Sequence, residues 1–276
     1  MRDCLNNLNE PGKVICVGLD PDLSKIPLEY QSLPPKEGIS RFLREIVQIT
    51  AGYAVAFKLQ KAFFDLYGGS LLMKKVIEDI RHYKPDSPVF IDGKIGDVEN
   101  TMKAYLQNIF QDCNADGIVI NPYMGQDVFN ALSDYPDRGI AVLVRTSNSG
   151  AGIIQDVPVL SGKNTEPLWS YILDRVVHDW NASRNMIPIL SEHANGDIRE
   201  KIPDDMPILY AGVGIQNGDL RKICKLYNSK GGGVIVNSSR AILYPYDPGN
   251  PKWRDKVYTS IKKLYADIEV TKNEQK

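Results

Sequence analysis

Eight short apolar runs, each followed by a stretch of helical periodicity or a turn, constrain this chain more than any other feature of it. They fall at 13–20, 54–60, 89–94, 117–121, 139–146, 187–191, 207–212 and 233–237. Most are apolar at consecutive positions instead of alternating, the pattern of a strand covered on both faces. Between them apolar residues return at the helical period, as at Ile39, Phe42, Leu43 and Ile46. Strands that alternate with helices predict a parallel sheet, and eight such units in 276 residues fit a single (βα)8 barrel of the α/β class. The expected domain is the whole of 1–276, with the last helix over 253–268 and a polar tail from about 269. An open doubly wound sheet is the competing architecture. Its nucleotide-binding form carries G-x-G-x-x-G after the first strand, and Gly18-Leu19-Asp20-Pro21-Asp22 does not supply it.

Composition removes several functions. With 33 Lys and Arg against 34 Asp and Glu, net charge is −1, so no basic field attracts nucleic acid. No apolar run approaches the roughly 20 residues of a membrane helix, and residues 1–7 carry no apolar signal core. Cys4, Cys16, Cys113 and Cys224 are widely spaced without a CxxC, which argues against a zinc site or a disulfide framework. The expectation is a soluble cytoplasmic protein with reduced thiols.

Chemistry concentrates where the third run meets its helix. Phe90-Ile91-Asp92-Gly93-Lys94 ends a strand, and Val98, Met102, Tyr105 and Ile109 then recur at helical spacing. On a regular strand Asp92 and Lys94 share a face, and in a barrel the carboxyl end of a strand is where catalytic groups sit. Singly, Asp97 reads as a helix cap, Asp92 as an ion-pair partner and Lys94 as a snorkelling surface lysine. Together at one junction they read as a site. Asp20, Lys58 and Asn121 end other strands at the same rim. The Asp92 carboxylate favours the ammonium form of Lys94, which suits a proton donor better than a Schiff-base nucleophile.

Three further stretches belong to that rim. Gly212-Val213-Gly214-Ile215-Gln216 follows the seventh strand and Asn237-Ser238-Ser239-Arg240 ends the eighth. Loops after these two strands commonly bind phosphate, with glycine amides approaching the anion and arginine giving it a fork of donors. The Ser-, Gly- and Ala-rich run from Ser147 to about residue 165 is long for a barrel connection and reads as a lid. Glu192-His193 is a weak metal or acid–base signature, because neither His82 nor His178 falls at a strand end.

Asp92-Gly93-Lys94-Ile95-Gly96-Asp97, with Thr101 four residues on, resembles the Asp-x-Lys-x-x-Asp signature of the orotidine 5′-phosphate decarboxylase family. Leu19-Asp20, Lys58, Thr146-Ser147-Asn148, Gly212-Val213-Gly214 and Arg240 extend the resemblance over about 13–244. The runs 57–64 and 146–151 are similar to the longer bacterial-type branch, while Gln60 and Ser239 depart from residues frequent elsewhere in the family. The resemblance implies a cofactor-free, metal-free homodimer that converts orotidine 5′-phosphate to uridine 5′-phosphate. It implies Lys58, Asp92, Lys94 and Asp97 as the catalytic charges, Asp97 reaching the partner's site. It also implies Asp20, Thr101, Ser147, Gly214, Gln216, Ser239 and Arg240 as substrate-binding. The alternatives are a magnesium-dependent sugar-phosphate decarboxylase or aldolase on a related barrel, and a non-catalytic phosphate-binding module.

Overall fold

The computed structural model describes residues 6–12, 14–212 and 220–273. Ten strands are present among them: β1 (Ile15–Leu19), β2 (Ala54–Gln60), β3 (Val89–Ile95), β4 (Gly117–Ile120), β5 (Gly139–Leu143), β6 (Pro158–Ser161), β7 (Asn164–Pro167), β8 (Met186–Leu190), β9 (Ile208–Tyr210) and β10 (Val234–Ser238). Eight close into a parallel barrel in the order β1-β10-β9-β8-β5-β4-β3-β2, and β6 with β7 form a separate antiparallel hairpin. The barrel expectation therefore holds, and each expected strand has its counterpart in the ring.

Two apolar layers hold the ring together. Outward-facing residues such as Val17, Leu19, Ile91, Ile118 and Val236 pack beneath the helices in one continuous core. Inward-facing Cys16, Ala56, Phe90, Val119, Ala141, Ile187 and Ile235 fill the barrel, joined by fully buried Leu8 from the turn Asn6–Asn9. Burial on both faces explains why these strands read as unbroken apolar runs. No helix of the described residues is long and apolar enough to cross a membrane.

Four local readings change. The stretch expected as a loop from residue 147 to 165 holds a short helix, Gly152–Gln155, and the β6–β7 hairpin, whose strands contain no buried residue and so leave little apolar signal. Residues 63–83, whose apolar spacing reads as one long amphipathic helix, belong to two, Lys61–Tyr67 and Gly69–Tyr83, because the glycine pair Gly68-Gly69 breaks it, with Gly69 at φ 55°. The last helix, Trp253–Asn273, runs past residue 269. There Lys272 ties it to the barrel, donating to the Gly231 carbonyl at 2.9 Å and lying 5.0 Å from the Tyr227 ring centre. Asp97 does not cap the helix Glu99–Leu106: Val98 holds the cap position, and Asp97 accepts from the Val98 amide at 2.8 Å.

Candidate active site

β3 carries the centre of the site, and it does so through an irregularity. Its register against β4 runs Asp92↔Val119 and then Ile95↔Ile120, leaving Gly93 and Lys94 as extra residues in a bulge. Lys94 sits at φ 47°, in the left-handed region that a residue with a Cβ rarely occupies. Asp92 and Lys94 thus converge, as expected, but a bulge turns the lysine and strand alternation does not. Lys94 Nζ donates to Asp92 Oδ1 at 2.8 Å, while Lys58 Nζ, from the neighbouring strand, donates to Asp92 Oδ2 at 2.8 Å. One carboxylate is shared by two ammonium groups.

Burial makes the sharing matter. Lys58 and Asp92 are each buried, while the Lys94 side chain is 46% exposed and open to the cavity. Burial alone pushes the Asp92 carboxyl up, but Lys58 and Lys94 outweigh it and hold the group below the usual aspartate range. Burial likewise pulls the Lys58 ammonium down, and Asp92 and Asp20 reverse this and raise it. Cys16, on the interior of β1, has its thiol pushed up to about 12 by burial, with Lys58 opposing and Asp20 and Asp92 reinforcing. It is a neutral packing group, not a nucleophile.

These charges stand on one side of a cavity of about 720 Å³ at the carboxyl ends of the barrel strands. The other side is apolar, with Val119, Leu143, Ile189 and Leu209 contributed by β4, β5, β8 and β9. A developing negative charge placed between these halves meets ammonium groups on one side and aliphatic side chains on the other. At the rim stand Ser239 and the exposed Arg240, at the start of the short helix Arg240–Leu243. Gly18 explains how the end of β10 comes so close to β1. A Cβ at Gly18 would stand 1.8 Å from Ser239 Oγ and 3.4 Å from Asn237 Oδ1. Tyr244 pins the loop after β1, its hydroxyl donating to the Asp20 carbonyl at 2.8 Å and accepting from the Asp22 amide at 2.8 Å.

Asp20, Lys58, Asp92, Lys94, Ser147, Ser239 and Arg240 all line this one cavity. Gly214 and Gln216 lie outside the described residues. Asp97 and Thr101 do not line the cavity of their own chain. Asn121 turns away from it, and its side chain closes the turn Pro122–Met124 by accepting from the Tyr123 amide at 3.1 Å. His193 lines a different hollow, beside Trp169 and Lys201. Asn148 and Asn237, read earlier only as members of longer runs, line the cavity too, and with them Gln155 and Tyr244, which the sequence did not single out. Asn237 stood in the run before Arg240 and carried a signal as the polar end of an apolar strand; Gln155 and Tyr244 carried none. Asp20 Oδ1 and Asn237 Oδ1 are buried with no hydrogen-bond partner among the described residues, although a buried acceptor normally finds one. Among the described residues no three His, Cys, Asp or Glu side chains gather as a metal site would require.

Comparison with known proteins agrees with this geometry. Residues 13–251 match the Orotidine 5'-phosphate decarboxylase / HUMPS family. The chain is 36% identical over 234 residues to orotidine 5′-phosphate decarboxylase of Azoarcus sp. (strain BH72), covering 84% of each chain. It superposes on the structure of Leishmania donovani OMP decarboxylase with a TM-score of 0.77 at 26% identity, covering 98% of this chain and 97% of that one. On Leishmania donovani UMP synthase the TM-score is 0.80 at 26% identity, and the chain spans 56% of that longer protein. An Asp-x-Lys bulge flanked by a buried lysine, on a barrel of this order and with these relatives, places the chain in the Orotidine 5'-phosphate decarboxylase / HUMPS family.

Proposed function

We propose that this chain is an orotidine 5′-phosphate decarboxylase, acting in de novo pyrimidine synthesis in the cytoplasm without metal or organic cofactor. The observation that carries the reading is the buried Asp92 carboxylate held between Lys58 and Lys94 at 2.8 Å each, facing an apolar wall. The substrate's carboxylate would lie between Asp92 and that wall, where it meets a like charge on one side and aliphatic side chains on the other. Heterolysis of the bond from the ring carbon to the carboxyl group releases carbon dioxide and leaves the electron pair on the ring. The Lys94 ammonium stabilises that pair electrostatically and then gives it a proton. The product carries a new C–H bond, and Lys94, left neutral and half-exposed, regains its proton from solvent. Lys58 keeps Asp92 ionised through the cycle. How much the crowding of two carboxylates contributes is a matter of ground-state destabilisation, and one ion pair does not supply the ~23 kcal/mol or more such slow reactions require. Binding energy from the rest of the substrate carries the remainder.

The other groups divide the nucleotide between them. Asp20 Oδ1 and Asn237 Oδ1, both unpartnered acceptors, suit sugar hydroxyls. Arg240 suits the phosphate, with Gly214, Gln216 and Ser239, and Ser147 faces the base. Asp97 and Thr101, off their own cavity, serve the partner's site in a homodimer. Exposed apolar Val98, Tyr123 and Met124, on the loops after β3 and β4, support an interface beside them.

The second reading is a magnesium-dependent sugar-phosphate member of the same family. A single assay separates the two. Orotidine 5′-phosphate mixed with the protein in excess chelator should lose its orotate absorbance. Turnover that chelation abolishes and magnesium restores would move the chain to the sugar-phosphate group, and nucleotide binding with no turnover would make it a non-catalytic phosphate-binding module.

A further inference from the structure

We propose that Arg145 is a positioning residue, whose fork onto Asp156 holds the cavity wall at 146–148 in the geometry that reads the edge of the substrate's base. This rests on the reading of the cavity as a nucleotide site.

Arg145 follows β5 and does not itself line the cavity. Its side chain is buried, which is unusual for an arginine unless it is paired. Nε donates to Asp156 Oδ1 at 2.8 Å and Nη2 to Asp156 Oδ2 at 2.9 Å, two parallel bonds of the kind that add orientation as well as attraction. Nη1 donates to the Thr146 carbonyl at 2.7 Å. Gln155, next to Asp156, accepts from the Thr146 amide at 2.9 Å and donates to the Thr146 hydroxyl at 2.9 Å. That hydroxyl donates to Asn148 Oδ1 at 2.7 Å. The two ends of the segment 147–154 are therefore fastened together by four of these contacts, two from Arg145 to Asp156 and two between Thr146 and Gln155.

Gly152 is part of the device. A Cβ there would lie 2.7 Å from Asp156 Oδ2, so a larger residue would displace the carboxylate from its fork. The arginine is also fixed from behind, since the Val144 and Arg145 amides both donate to the Ile189 carbonyl at 3.1 Å. What the latch presents to the cavity is Thr146, Ser147, Asn148 and Gln155, a strip of amides and hydroxyls without charge. Such a strip matches the neutral donors and acceptors of a pyrimidine edge, whereas Arg240 across the cavity matches the phosphate. The 147 segment thus works as a wall built in advance, anchored at its base and not dependent on a hinge there for its shape.

The test compares a ligand that has a base with one that lacks it. Titration calorimetry would give Kd for uridine 5′-phosphate and for ribose 5-phosphate with wild type, Arg145→Lys and Asp156→Asn. Arg145→Lys keeps the charge and loses the fork. We expect its Kd for uridine 5′-phosphate, and its KM for orotidine 5′-phosphate, to rise about tenfold or more. Its Kd for ribose 5-phosphate should stay within about twofold, and kcat should fall less than kcat/KM. If Arg145→Lys does not fold, Asp156→Asn, altered at the half-exposed end of the pair, reads the same comparison. Variants that lose both ligands equally, or neither, overturn the proposal while leaving the nucleotide reading standing. A wild type that binds ribose 5-phosphate but not uridine 5′-phosphate overturns that reading and the proposal with it.

Discussion

Lys94 reaches Asp92 at 2.8 Å from a backbone held at φ 47°. The contact and the strain are one arrangement. The bulge that inserts Gly93 and Lys94 turns the lysine to the carboxylate two residues before it, and the left-handed conformation is the cost of that turn. The site is a place where local backbone preference yields to the position a charge must occupy.

The cost can be read from two substitutions at position 94. Lys94→Ala and Lys94→Gly should both be inactive, because either removes the proposed proton donor. Glycine relieves the left-handed penalty and alanine does not, so Lys94→Gly should be the more stable by about 1 kcal/mol, or roughly 2 °C in melting temperature. Thermal unfolding of the two variants side by side checks this, and equal stabilities would mean that the backbone is not strained.

Asp92→Asn leaves Lys58 buried without its closest partner. It should cost about 3 kcal/mol of stability at neutral pH, as removal of one member of a buried pair does, and it should abolish turnover. The pH dependence follows from the directions of the shifts. Asp92 is depressed in the fold, so its contribution is present above the unfolded value of about 3.9 and is lost as pH falls through the lower folded value. Lys58 is raised, so its contribution is present below about 10.4 and is lost as pH rises through its higher folded value. Urea unfolding should show a gap between wild type and Asp92→Asn that is level from about pH 5 to 9 and closes below about pH 4. A gap that widens on acidification would contradict the pairing.

Gly18→Ala should displace Ser239, since the new methyl would fall 1.8 Å from its hydroxyl oxygen and 2.9 Å from its Cβ. The chain should still fold, and affinity for uridine 5′-phosphate should drop about tenfold, or 1.4 kcal/mol, because Arg240 moves with its neighbour. Adding Ser239→Gly removes the obstructing atoms and should restore much of the binding. Arg240→Ala should weaken binding of uridine 5′-phosphate while barely changing that of uridine; equal losses for both would remove the phosphate role.

Asp97 lies off its own cavity, so its variants test whether two chains share a site. Lys94→Ala and Asp97→Ala should each be nearly inactive alone and complement when mixed. A mixed dimer has one site with both lesions and one with neither. Random exchange of equal amounts makes about half the dimers mixed, so roughly a quarter of wild-type activity should return. Absence of recovery under proven subunit exchange would leave Asp97 with a structural role.

The barrel was legible because burying a strand on both faces forces an unbroken apolar run, and that constraint acts locally at each of the eight strands. Asp92, Lys94, Lys58 and Asp20 were legible for a related reason. A charge at the end of such a run stands out against its neighbours, and the barrel brings all such ends to one rim. What tertiary structure alone decided is how those charges meet. The bulge at Gly93-Lys94 exists only against β4, where two residues of one strand go unmatched by the other, and nothing in the run 89–94 marks it. The fork from Arg145 to Asp156 spans 11 residues and the Tyr244 contact to Asp20 spans 224. No periodicity records either one. Periodic patterns encode which face of an element is buried, because burial repeats along the element; a single contact between distant side chains repeats nowhere, so only the folded chain specifies it.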